Sequence, residues 1–165
     1  MFENVDDGGH NVRRKDRERD KDFALAVVDK CEWGVLSVIA TDGEPYGVPV
    51  SVVRDGEAVY FHTAKEGRKI DALKANPHVA LVCVGDVERS RTSFTTGYES
   101  AMITGECSEV TDDDEKVRAL RALCVKYTPE NMANFDAAVA ASLPRTGVYR
   151  IAIEHISGKA KVLKK

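Results

Sequence analysis

No stretch of this 165-residue chain stays apolar for the roughly 20 residues that a membrane-spanning helix needs. An excess of positive charge is missing too. Lys and Arg number 24 against 27 Asp and Glu, for a net charge of -3. A dedicated nucleic-acid binder should be basic overall or on one face. Here the basic residues are spread along the chain, and the one dense charge run mixes both signs. No G-x-G-x-x-G follows a strand, which excludes a Rossmann dinucleotide site, and no G-x-x-x-x-G-K-[ST] phosphate loop occurs. No G-x-S-x-G elbow appears, and Ser51 has no base near it in sequence. The four cysteines form no C-x-x-C, and none has a His nearby at metal-ligand spacing. The four histidines (His10, His62, His78, His155) lack zinc-type spacing, so no metal site is expected. His78 and His155 fall at strand ends and read as structural. Cys83 and Cys124 read as small buried hydrophobes. The acidic, polar start carries no export signal, and reduced thiols fit the cytoplasm.

What is present describes an ordinary globule, with 43% hydrophobic and 31% charged residues. Residues 13–165 are long enough for one domain with a real core. Residues 1–12 read as a flexible tail. RRKDRERDKD, from Arg13 to Asp22, reads as a solvated helix start, and Phe23 to Val28 supply that helix with an apolar face. From Gly34 the period becomes that of strands. GVLSVIA, Tyr46 to Val53 and Ala58 to Thr63 are separated by Asp-Gly turns and predict a three-strand antiparallel meander. A helix follows from Glu66 to Ala75, stopped by Asn76-Pro77. Strands follow at His78 to Gly85 and Tyr98 to Cys107, around a polar loop at 86–97. Two helices lie between Thr111 and Pro144, and Thr146 to Ile156 is the last strand. SGKAKVLKK reads as a lysine-rich end. The fold class is therefore mainly β with flanking helices. About six strands suggest a small closed barrel, bent at an edge by Pro49, which cannot donate to a ladder. A partner chain should cover the opening.

The segment YFHTAKEGRKIDALKANP carries the chemistry. His62 and Thr63 end a strand, and Arg68 and Lys69 open the next helix. Cations are disfavoured in a helix's first turn, where the macrodipole is already positive and backbone N–H groups are unpaired. Two adjacent cations there make sense if an anion such as phosphate docks on them. The alternative is a pair of solvated surface cations. His62, beside this loop, either packs as a strand histidine or touches ligand.

RRKDRE, WGVLSVIATDGEPYGVPVSVV, VYFHTAKEGRKIDALKANPHVALVCVG, FTTGYESAMITGE and IEHISGKA, in that order, resemble the pyridoxamine 5′-phosphate oxidase-like split β-barrel superfamily. The nearest branch is the nitroimidazole-resistance type of flavin reductase. The match spans Val12 to Lys161. It implies a six-stranded antiparallel split β-barrel and a homodimer with FMN at the interface. Val48, Pro49, Val50 and Ser51 would line the isoalloxazine edge. His62 and Thr63 form the second flavin element, and Arg68 and Lys69 fall on the phosphate-binding pair. Ala64 and Lys65, between those two elements, would also bind the cofactor. Ser100, or Tyr98, matches the position that reaches the flavin from the partner. The chain departs from the oxidase proper at Gly47, where the oxidase is basic, and in a C-terminus without an arginine motif. Both argue against pyridoxamine phosphate oxidation.

The resemblance thus implies an FMN-dependent oxidoreductase with a small-molecule substrate, reduced by NADH or NADPH, with His62 or Tyr98 as the catalytic contacts. Protein groups would bind, orient and exclude water while flavin carries the hydride. A non-catalytic flavin or haem module is the alternative, with His62 or His155 as the axial ligand. A deazaflavin-dependent reductase is another.

Overall fold

The computed structural model describes residues 12–163. The tail expected at 1–12 lies outside the described residues except for Val12, which is buried. The charged run does not begin a helix. It forms a 3-10 turn at Lys15–Arg17 and a two-residue strand, β1 (Glu18–Arg19). Helix α1 (Lys21–Lys30) starts only where Asp20 can cap it, accepting from the Phe23 N–H at 2.8 Å. β2 (Gly34–Ile39) turns into β3 (Pro45–Val50) through Asp42 and Gly43, whose φ of 85° suits glycine.

The predicted second strand breaks at Ser51 and Val52. Beyond them, β4 (Val53–Asp55) pairs with β5 (Ala58–Ala64). The expected meander is therefore wrong, because β3 pairs with β2 while β5 pairs with β8 (Thr146–Ala152). β6 (His78–Arg89) and β7 (Thr96–Glu109) run past the expected strand ends and shrink the polar loop to residues 90–95. The lysine-rich end is strand β9 (His155–Lys161). Among the described residues nine strands result rather than six, all pairing antiparallel, in the order β3-β2-β6-β7-β8-β5-β4, with β9 on β7 and β1 on β9.

The sheet does not close by hydrogen bonds. The main strand path ends on two free edges, β3 and β4, joined by only Ser51 and Val52, and the two-residue β1 leaves a short third edge beside β9. Pro49 thus lies on an edge strand, where its missing N–H costs no ladder bond. β7 holds the two halves together. Residues 98–104 pair with β9 and residues 107–109 pair with β8. Gly105 lies at the switch, and a Cβ there would run into the Ala152 carbonyl oxygen.

Two apolar clusters form. The barrel interior holds Leu36, Phe61, Leu81, Ile103 and Ile151, with Val27 and Val28 of α1, all at 1% exposure or less. Phe61 stacks on Tyr149 at 5.6 Å between centroids. The second cluster lies on the other face of β5 and β8. There Ala58, Tyr60 and Val148 meet Leu120 of α3 (Asp113–Tyr127) and Phe135 of α4 (Phe135–Ser142). Asp112 caps α3 through the Glu115 N–H at 2.8 Å. Arg121 pins α4 to α3, pairing with Asp136 at 2.8 Å and lying 4.2 Å from the Phe135 ring centre. No helix among the described residues is long and apolar enough to cross a membrane.

Candidate functional site

The site grows from the end of β5. Thr63 and Ala64 complete that strand, opposite Gly147 and Thr146 of β8, and Lys65 lies on the exposed bend beyond. Gly67, with φ 114°, turns the chain into helix α2 (Arg68–Ala75). No side chain caps this N-terminus. Arg68 and Lys69 are its first two residues, beside backbone N–H groups that precede the helix's own ladder.

The two cations diverge. Arg68 lies 4.7 Å from the Tyr46 ring centre and pairs with Asp42 at 3.4 Å, so it rests on the β2–β3 hairpin. Lys69 turns inward, 5.7 Å from the Phe61 ring centre. Among the described residues no carboxylate pairs with Lys69. Burial pushes its pKa below the usual lysine range, with only a small opposing pull from Cys107. An amine held this way gains by meeting an anion.

His62 ends up on the face of β5 opposite Phe61, paired in register with Val148. Partial burial lowers its pKa, and the Lys69 charge lowers it further, so the ring is neutral near pH 7. It lines a cavity of about 320 Å³ between α3, α4 and the barrel, as does Ser51 at the β3–β4 corner. That corner is clamped by α3. The Tyr127 hydroxyl accepts from the Val52 N–H and lies within hydrogen-bond distance of its carbonyl, which also accepts from Lys126.

Along β3, Val48 and Val50 pair in register with Leu36 and Gly34, and both pack on the barrel core. Pro49 pairs with Val35 on the outer face. That face carries a row of Pro49, Val35, Val82 and Met102 across four strands. Val35, Val84 and Met102 are each about half exposed, at 47%, 50% and 46%. Ser100 pairs with Val84 and shares this outer face, two residues from Met102. Thr104, two residues on, has a buried hydroxyl with no hydrogen-bond partner. Tyr98 lies further along β7, opposite Lys161, where its hydroxyl accepts from Arg17 at 3.4 Å.

The structure therefore brings His62, Thr63, Lys69 and Ser51 to one end of the barrel. It leaves Tyr98 and Ser100 on the β7–β9 side of the same chain. Sequence reasoning missed Tyr46, the platform under Arg68, and the α3–α4 wall beside His62. A larger cavity of about 530 Å³ lies by β1 and β9, among Glu18, Arg19, Lys21 and Glu57; His155, the alternative haem ligand, lines it, and none of the residues expected to bind flavin does. Among the described residues no cluster of His, Cys, Asp or Glu could hold a metal.

An open antiparallel barrel, divided between two edges and flanked by helices, is a split β-barrel. The chain belongs to the pyridoxamine 5′-phosphate oxidase family, whose sequence model matches residues 20–160. Solved structures agree in fold. A proposed 5-nitroimidazole antibiotic resistance protein from Bacteroides thetaiotaomicron is 24% identical, covers 86% of this chain and 84% of its own, and superposes with a TM-score of 0.73. The flavocytochrome Anf3 from Azotobacter vinelandii is 23% identical over 96% and 77%, with a TM-score of 0.78. An FAD and haem binding protein from Mycobacterium smegmatis is 22% identical over 88% and 73%, with a TM-score of 0.74. No curated protein matches the chain significantly.

Proposed function

We propose that this chain is an FMN-dependent oxidoreductase acting as a homodimer on a small molecule. The observation that carries the reading is the uncapped start of α2, with the partly buried, unpaired Lys69 and its neighbour Arg68 at the end of β5. A terminal phosphate is the anion such a start suits, through backbone N–H groups, a point charge and a planar fork. Proteins of similar fold include a flavocytochrome and an FAD and haem binding protein, which supports a flavin in this barrel.

Bound flavin would supply hydride transfer, with NADH or NADPH as the reductant. The chain's own residues do the rest. Thr63, Ala64 and Lys65 lead from the strand to the phosphate pair. Residues 48–51 offer backbone groups along a free edge. His62, neutral near pH 7, presents a ring nitrogen beside that edge as an acceptor or donor of one proton. The half-exposed outer face of β2, β6 and β7 is where a second copy would dock. There it would cover Val35 and Met102 and bring Ser100 or Tyr98 to the other chain's flavin. The four cysteines are free thiols, in keeping with a reducing compartment such as the cytoplasm.

The test is the spectrum of the purified protein before and after NADH or NADPH, with light scattering on the same sample. The expected result is a dimer with an FMN chromophore that bleaches. A Soret band, or a flavin that no pyridine nucleotide reduces, would overturn the enzyme reading.

A further inference from the structure

The cavity under α3 and α4 is unused by the phosphate and ring contacts above. Its volume of about 320 Å³ is at the small end of ligand pockets. Leu120, Leu123, Tyr127, Phe135 and Val139 make most of its wall, and no Asp, Glu, Lys or Arg lines it. The polar atoms are neutral and gather at two places. Thr128, Asn131, Asn134 and Ser142 sit on the helical side, and Ser51, His62 and Thr146 sit on the barrel side. Ser51 belongs to the segment proposed to run along the flavin edge, and His62 to the strand that ends at the phosphate pair. The cavity thus shares its barrel wall with the cofactor site.

We propose that this cavity is the substrate pocket, and that it takes a neutral, mainly apolar small molecule with one polar group held at His62 and Ser51. The inference rests on the flavin reading for its role in turnover, though the cavity itself does not. A charged group buried against this wall would lose its water and gain no counter-ion, which strongly disfavours anionic and cationic molecules of the same shape. The neutral state of His62 removes the one cation the wall could otherwise offer. The roof is held by the Arg121–Asp136 pair, whose charges do not line the cavity.

The experiment uses the flavin-loaded protein and two probes of similar shape, 2-naphthol and naphthalene-2-sulfonate, in equilibrium dialysis. 2-Naphthol should bind about tenfold or more tightly than the sulfonate, and its binding should perturb the visible flavin band. Val139→Trp fills the cavity and should weaken 2-naphthol about tenfold or more while FMN affinity stays unchanged. Ala138→Phe, on the same wall, serves if the first variant folds poorly. Equal affinity for the two probes, or 2-naphthol binding that ignores both variants, overturns the pocket. Binding that leaves the flavin band unmoved overturns its role as the substrate site. If the protein takes up no flavin at all, the flavin reading fails. Dialysis without flavin then decides the cavity's neutral selectivity separately.

Discussion

Replacing Arg68 and Lys69 together with alanine isolates the phosphate from the rest of the flavin. Lys69 has no carboxylate to release, so its contact with phosphate should contribute the full range for a charge-assisted bond, roughly 1.5–3 kcal/mol. Arg68 must first leave Asp42 and Tyr46. That ion pair is more than half exposed on both sides and worth little, and an exposed cation–π contact is worth about 0.5–1 kcal/mol. The net gain from Arg68 is then about 1–2 kcal/mol. The double variant should lose about 3–4 kcal/mol, or several hundredfold in FMN affinity. Riboflavin lacks the phosphate, and its affinity should change less than about threefold. Fluorescence titration of flavin-free protein with each ligand measures both. Equal losses for the two ligands would show that the pair shapes the fold rather than clamping phosphate. In the single variants, Lys69→Ala should cost more than Arg68→Ala, because Arg68 gives up both an ion pair with Asp42 and a ring contact with Tyr46, whereas Lys69 gives up only its contact with the Phe61 ring.

Three other outcomes follow from the geometry. The folded-state pKa of His62 is depressed, so the unfolded chain binds that proton more tightly and stability falls as pH drops through the ordinary histidine value of about 6.5. His62→Gln should flatten the pH 5 to 7 dependence of the melting temperature and alter the pH dependence of turnover; melting curves and steady-state rates with neither change would make His62 a packing residue. Gly105→Ala must push the β7 crossing away from the Ala152 carbonyl and should cost about 3 kcal/mol, read as a lowered urea midpoint with an unchanged slope. Met102→Glu places a charge in the middle of the outer apolar face and should yield monomers with weakened flavin, seen by light scattering; an intact dimer would place the interface elsewhere.

The strand end and helix start that bear the candidate anion site were legible because they are local. Two cations after Gly67 and a strand ending at His62-Thr63 lie within eight residues, and a helix start has the same unpaired N–H groups wherever it occurs. Arg68 on Tyr46 was not legible, since 21 residues and a hairpin intervene and only the β2–β3 register brings them together. The cavity was hidden for a different reason. Leu120 and Leu123 have the spacing of any core-facing helix, and nothing in that period says that a gap remains beside His62. β9 was masked by composition. Its lysines alternate with buried Gly158 and Ala160, a period of two that four nearby lysines made look like a solvated tail. The break at residues 51–52 lay inside a run of β-branched residues, where local propensity favours continuing one strand. Pairing to different neighbours on either side overrides it.

The two edges of the sheet are consecutive in the chain, and that has a mechanical consequence. Ser51 and Val52 span at most about 10 Å from the last residue of β3 to the first of β4. The two edges therefore meet at this corner and cannot separate there by more than that length. Tyr127 and Lys126 hold Val52 from behind, so α3 braces the corner itself. Movement of α3 would carry this corner with it, tying the helical wall of the cavity to the place where the two edges meet.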